Sequence, residues 1–174
     1  MLRQFLQINV TNAQQVYISS SGGRSNIARY IGMQLYKSDA DIVIIGPCLA
    51  SCAVYLFLSG REKIIDHFGY IGFGGGPLSA DEIRERFDRD SVQRYLFAAT
   101  KDYETFFEMV GVRQAIASQR PDDNSLLIGC LEQAFCMWTW RAEDFERFGV
   151  TGVNIVRENY PEGWSNRIQL EETE

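Results

Sequence analysis

From Ile42 the chain reads Ile42-Val43-Ile44-Ile45, then Gly46-Pro47-Cys48-Leu49-Ala50-Ser51-Cys52, then an almost unbroken apolar segment from Ala53 to Leu58. A four-residue aliphatic run stopped by Gly-Pro reads as a buried strand. The apolar segment, closed by Gly60, reads as a buried helix with the residue type that ends helices. Strand, tight turn and buried helix put Ser51 at a helix N-terminus, where backbone N–H groups lack partners and the macrodipole favours negative charge. Such a place suits a nucleophile whose reaction generates an oxyanion. It equally suits a plain N-cap, a role that serine fills well.

The flanking segments extend the pattern. Val16 to Ser19 reads as a strand, and Ser20-Ser21-Gly22-Gly23 as a turn. Arg24 to Tyr36 carries apolar residues at Ile27, Tyr30, Ile31, Met33, Leu35 and Tyr36, the spacing of an amphipathic helix leading into the strand at Asp41–Ile45. Phe5 to Val10 has a looser strand character, and Lys63-Ile64-Ile65 follows Gly60-Arg61 as another short strand. Alternating strands and helices predict an α/β domain built on parallel right-handed units.

These residues together resemble the Clp protease proteolytic subunit and its shorter relatives within the Clp/crotonase fold. Ser20-Ser21-Gly22-Gly23 looks like the family's oxyanion turn, with Ser21 in place of its proline. Ala50-Ser51 looks like its nucleophile turn, and Ser59-Gly60 like its helix end. The resemblance runs in order from Gln14 to Val153. It implies a spiral of ββα units, a central sheet with flanking helices, and a long handle-like helix. It assigns Ser51 the nucleophile position and Gly22, Gly23 and Cys52 the oxyanion hole. Secreted relatives often flank the serine with cysteines, as Cys48 and Cys52 do here.

One position departs from that pattern. The family's catalytic histidine closes a hydrophobic-Gly-hydrophobic-His strand, and here the string is Ile71-Gly72-Phe73-Gly74. Gly74 therefore stands at the histidine position. The only histidine of the chain is His67, seven residues upstream and a candidate substitute base. A serine without a base is a poor nucleophile. The family's third member, an acid, has its nearest counterpart in Glu132, which an exposed helix carboxylate explains as well. The reading is a serine-peptidase homologue with an incomplete triad, acting as a binding or assembly module or as a strongly attenuated hydrolase. The alternatives are an active peptidase or esterase whose base comes from His67 or a partner subunit, and a crotonase-like acyl-binding enzyme using the oxyanion hole alone.

Downstream, Ser79-Ala80-Asp81-Glu82 has the form of a capping box, and a helical pattern continues to Val110. One helix over 79–110 would reach about 45 Å, so it is expected to pair subunits in a homo-oligomer; a helix broken near Asp90-Ser91 and folded back is the competing arrangement. Val112 to Ser118 reads as a short helix, and Leu126 to Trp140 as an apolar, aromatic stretch without a clear period. Residues 142–150 resemble the family's late helix, and Val150 to Val156 reads as a last strand. Residues 1–157 are expected to form one domain, followed by a polar tail over 158–174.

Composition closes off several function classes. Acidic residues outnumber basic ones, for a net charge of −6, and all but three of the 17 basic residues are arginines scattered along the chain. No basic stripe with interleaved aromatics points to nucleic acid, no apolar run is long enough for a membrane span, and a peptide is the ligand that the resemblance suggests. As given, the chain reads as cytoplasmic, or as periplasmic or secreted if a signal peptide has been removed. In the cytoplasm its cysteines, Cys48, Cys52, Cys130 and Cys136, are expected to be reduced. No cofactor is expected: the Gly72–Gly76 run lacks the residues of a P-loop and the spacing of a dinucleotide fingerprint. One histidine and two nearby cysteines do not make a tetrahedral metal site.

Overall fold

The computed structural model describes residues 14–74, 76, 79–131 and 135–156. The expected strand at 5–10, the tail from 158 and Glu132 lie outside them. The described chain forms two compact units, one made of 14–71 with 151–156 and the other of 72–150.

The first unit is the predicted α/β pattern. It contains β1 (Gln15–Ser20), α1 (Ser25–Lys37), β2 (Asp41–Leu49), a short π-helix α2 (Cys52–Phe57), β3 (Lys63–Ile65) and β4 (Tyr70–Gly72, which runs into the second unit). The returning segment adds the last strand, β7 (Val153–Ile155). β1, β2, β3 and β7 lie side by side in that order, each pair parallel, and β4 also pairs with β2. Consecutive parallel strands joined through helices cross over right-handedly, which brings both helices to the same face; α1 and α2 do pack on each other. Ile42, Ile44 and Ile65 from the strands, Leu35 and Phe57 from the helices and Leu58 just after α2 are almost completely buried. These residues are the centre of the unit's core.

Two features of this unit differ from expectation. β2 continues past Gly46-Pro47 to Leu49, because the register against β1 slips there: Ile18 faces Ile44, and Ser20 faces Cys48. Two residues of β1 thus run beside four of β2, a bulge of the kind that re-aims the chain beyond it. Gly46 permits the bulge, since a Cβ there would lie 2.5 Å from Ser19 Oγ. The second difference is the helix after Ser51, which is wound as a π-helix, a form that occurs mostly as single turns, often at functional sites.

The second unit contains α3 (Ala80–Arg86), α4 (Asp90–Val110), α5 (Ala115–Ser118), the antiparallel pair β5 (Leu127–Leu131) and β6 (Phe135–Trp138), and α6 (Ala142–Arg147). Ser79 caps α3 reciprocally: Glu82 N–H donates to Ser79 Oγ at 3.2 Å, and Ser79 N–H donates to Glu82 Oε2 at 2.9 Å. The single handle-like helix over 79–110 is not formed. Phe87 takes an extended conformation (φ −133°, ψ 112°) and separates α3 from α4. The Arg84 guanidinium then lies 5.6 Å from the centre of the Phe97 ring. Thirteen residues along one continuous helix would be about 20 Å apart, so the chain has folded back on itself. Tyr103, Phe106 and Phe107 near the end of α4 are buried, and Gly111 ends the helix in the left-handed region (φ 70°).

The aromatic stretch without a legible period resolves as the β5–β6 pair. Its ring nitrogens find one acceptor: Trp138 Nε1 and Trp140 Nε1 donate to the Ile116 carbonyl at 3.3 and 2.7 Å. The expectation of reduced cysteines is overturned. Cys48 and Cys52 form a disulfide, Cys136 is also disulfide-bonded, and no cysteine among the described residues is free. Cys48 and Cys52 sit either side of one tight turn with their Cα atoms 5.1 Å apart, within bridging range.

Candidate functional site around Ser51

Ser51 follows directly on β2 and begins the wide turn of α2. Its side chain is not an N-cap. The residue has helical dihedrals (φ −61°, ψ −24°) and makes no side-chain capping bond. Its hydroxyl instead donates across the sheet edge to the Gly23 carbonyl at 3.2 Å, 28 positions earlier in the chain. Ser51 is 8% exposed, so this contact lies in a nearly closed setting.

The Gly22-Gly23 turn owes its place to backbone chemistry. Gly22 has φ 103° and Gly23 φ 151°, in the region that side chains disfavour. A Cβ on Gly22 would also lie 2.9 Å from the Leu49 carbonyl. Ser20 Oγ braces the turn, accepting from Gly22 N–H at 3.2 Å and donating to Gly22 O at 3.3 Å. On the facing side Ala50 has φ 49°, one of two described non-glycine residues with positive φ. A bulged strand, a left-handed alanine and a disulfide thus meet at the turn that carries Ser51.

The structure brings Ser51, Gly22, Gly23 and Cys52 together in the first unit. Cys52 opens α2, where the first amides have no partner inside the helix. In this arrangement the group facing Ser51 Oγ is the carbonyl of Gly23, while Gly22 N–H is engaged by Ser20 Oγ.

His67 lies in the turn after β3 and is exposed. Its backbone N–H donates to Asp66 Oδ1 at 2.8 Å, and Gly69 closes the turn by donating to the Asp66 carbonyl at 2.8 Å. The one proton of Ser51 Oγ points to Gly23, not to an imidazole.

Gly74 belongs to the second unit, next to Phe73, whose backbone exchanges hydrogen bonds with Trp138 at 2.7 and 2.8 Å. It is buried. A Cβ there would lie 2.7 Å from the Cys136 carbonyl and 3.2 Å from Met137 Cγ. The position therefore admits no side chain while β6 keeps its place.

Lys63 is a buried cation that the sequence did not single out. It is 5% exposed, and its Nζ donates to the carbonyls of Gly60 at 2.6 Å and Thr151 at 3.1 Å. Burial holds its pKa below the ordinary 10.5, against a smaller opposing pull from Glu62. Register pairs Lys63 with Ile42, at the start of β2. Ser51 lies past the strand's other end at Leu49, which is itself roughly 23 Å further on at strand rise. Lys63 is thus not placed as a base for Ser51; it ties the end of the α2 segment to the approach to β7. A lysine between two aliphatic-rich segments gives no sequence signal of such burial.

In the second unit a cleft of about 180 Å³ is lined by residues that include Asp123, Trp140, Arg141, Asp144 and Arg147. Four of its charges pair with one another, Arg141 with Asp123 at 2.5 Å and Arg147 with Asp144 at 3.4 Å. Among the described residues no cluster of three or more His, Cys, Asp or Glu side chains could hold a metal ion. No helix among them is long and apolar enough to cross a membrane. No protein-family model matches the chain, and no curated protein matches it.

Proposed function

We propose that this protein is a Clp-like serine-hydrolase homologue with an incomplete triad, which binds extended peptide segments at the Ser51 turn and turns them over weakly or not at all. The observation that carries this reading is the pairing of the two turns, Ser51 Oγ on the Gly23 carbonyl with Gly22 against Leu49. It is the juxtaposition that a nucleophile turn and an oxyanion turn would make. The base is the missing part, since Gly74 is enclosed by the Cys136 carbonyl. A carbonyl facing the serine suits a groove that accepts a peptide N–H better than a hole that stabilises an oxyanion.

The spiral arrangement of a Clp/crotonase fold and self-association belong to the same reading. Self-association would use α4, whose first half leaves Tyr95 68% exposed beside half-buried Leu96 and Phe97. The disulfides favour an oxidising compartment. The hydrolase alternative draws on His67, which follows β3 as Ser51 follows β2, at the same end of the parallel sheet. The crotonase-like alternative has no observation of its own.

The test is labelling by a fluorophosphonate probe, together with amide shifts on titration with short N-acetylated apolar peptides. The expected result is little labelling, with peptide-induced shifts at Gly22, Gly23 and Cys52. Strong labelling and ester turnover, lost in both Ser51→Ala and His67→Ala, would replace this reading with an active enzyme using a relocated base.

A further inference from the structure

The Cys48–Cys52 disulfide closes a ring of five residues that has Ser51 inside it. Five extended residues would separate the end Cα atoms by about 13 Å, whereas here they are 5.1 Å apart. Both cysteines are buried, at 0% and 1% exposure. The ring also contains Ala50 in the left-handed region, at φ 49°. An L-residue other than Gly or Asn/Asp avoids that region unless its surroundings impose it. From Ala50 the constraint passes outward by contact. The Leu49 carbonyl occupies the space that a Gly22 Cβ would need, and Ala50 Cβ is the next nearest atom. Gly22 leads into Gly23, whose carbonyl accepts the hydrogen bond from the Ser51 hydroxyl.

We infer that Cys48 and Cys52 are positioning residues for Ser51: their bond holds Ala50 left-handed and so keeps Ser51 against the Gly22-Gly23 turn. The functional consequence rests on the peptide-binding role proposed for that turn, but the structural claim does not. Without the bond, Ala50 is free to relax to ordinary negative φ, the Leu49 carbonyl leaves Gly22, and the two turns part. Glycine at position 50 would adopt the left-handed conformation without the clamp.

The test uses the full-length chain and needs neither ligand nor turnover. Amide hydrogen exchange is compared in the parent, in Cys48→Ala/Cys52→Ala, and in the same double variant carrying Ala50→Gly. Exchange across 48–54 should accelerate at least tenfold in the double variant, with β1, β3 and the second unit unchanged. The Gly23 and Arg24 amide resonances should move with it. Adding Ala50→Gly should recover most of the protection and return those resonances. Three results would each overturn the inference: unchanged exchange at 48–54, acceleration spread evenly through the chain or loss of the fold, and failure of Ala50→Gly to restore a folded double variant. If the turn proves clamped but the peptides do not bind, the proposed function fails and the positioning role stands.

Discussion

Gly22 and Gly74 are both glycines in tight quarters, for different reasons. Gly22 combines positive φ with a carbonyl at the place of its missing Cβ, so backbone and packing both require glycine. Gly74 has no positive φ, and packing alone, chiefly the Cys136 carbonyl of the neighbouring strand with Met137 beside it, excludes a side chain. At Gly22 the absent side chain lets two turns meet beside a serine. At Gly74 the room a side chain would need is taken by another strand's backbone. The difference teaches that a glycine can be required by conformation at one position and by packing alone at another. On the incomplete-triad reading proposed above, one substitution at Gly74 would therefore not restore a base.

Gly74→His is the severest way to break that comparison. Forcing an imidazole against the Cys136 carbonyl should cost roughly 3 kcal/mol, read as a fall in urea midpoint, with no gain of esterase activity. A variant of parental stability with new hydrolysis would show that β6 yields readily.

Gly22→Ala should cost roughly 2 kcal/mol, from strain at positive φ and the clash with Leu49 O. Gly23→Ala should cost roughly 1 kcal/mol, because only conformation opposes it; nothing lies within 4 Å of the added Cβ. Equal losses in chemical denaturation would mean that the Gly22–Leu49 contact carries no weight.

Ser51→Ala should change stability by only about 0.5–1 kcal/mol, the net worth of one neutral hydrogen bond. A much larger loss would mark Ser51 as a structural keystone and weaken the case for a binding site.

The smallest effect is a slope. The unfolded Lys63 side chain titrates near 10.5 and the folded one lower. Between those values the unfolded chain holds more protons, so stability rises with pH through that window. The buried ammonium correspondingly lowers stability at neutral pH. Urea midpoints of the parent should therefore climb relative to Lys63→Met as pH approaches 10.5. Parallel curves would mean that the ammonium is well solvated, and that this edge of the sheet is looser than the edge at Ser51.

What the sequence made legible was local. β1, α1, β3 and the capping box at Ser79 follow from spacing and residue type within a few positions. The pairing of Gly22-Gly23 with the Ser51 turn was legible as an order of elements, since adjacent parallel strands bring their following turns to one edge. The bulge at Gly46 was not, because it depends on Ser19 in another strand. The break between the two helices was legible only as an alternative near Asp90-Ser91; its place at Phe87, an ordinary helix residue, was not, since it goes with the fold-back that sets Arg84 over the Phe97 ring. Ala50 carried no signal, since nothing in an alanine announces positive φ. The Cys48–Cys52 bond was not legible either, because it depends on how closely a turn brings two sulfur atoms, which residue types alone do not reveal.

The placement of β7 has a consequence during synthesis. β3 cannot complete its pairing until residues 151–156 have left the ribosome, because Lys63 N–H donates to Gly152 O, and Val156 N–H to Ile65 O. Until then β3 offers an open, largely aliphatic edge to any passing chain, for the whole time that residues 72–150 are being made. The second unit, contiguous in sequence, has all of its described partners by then. In a cell, the nascent chain's exposure to misassociation is therefore set by the translation time of the inserted unit, and slow codons within it would lengthen that interval.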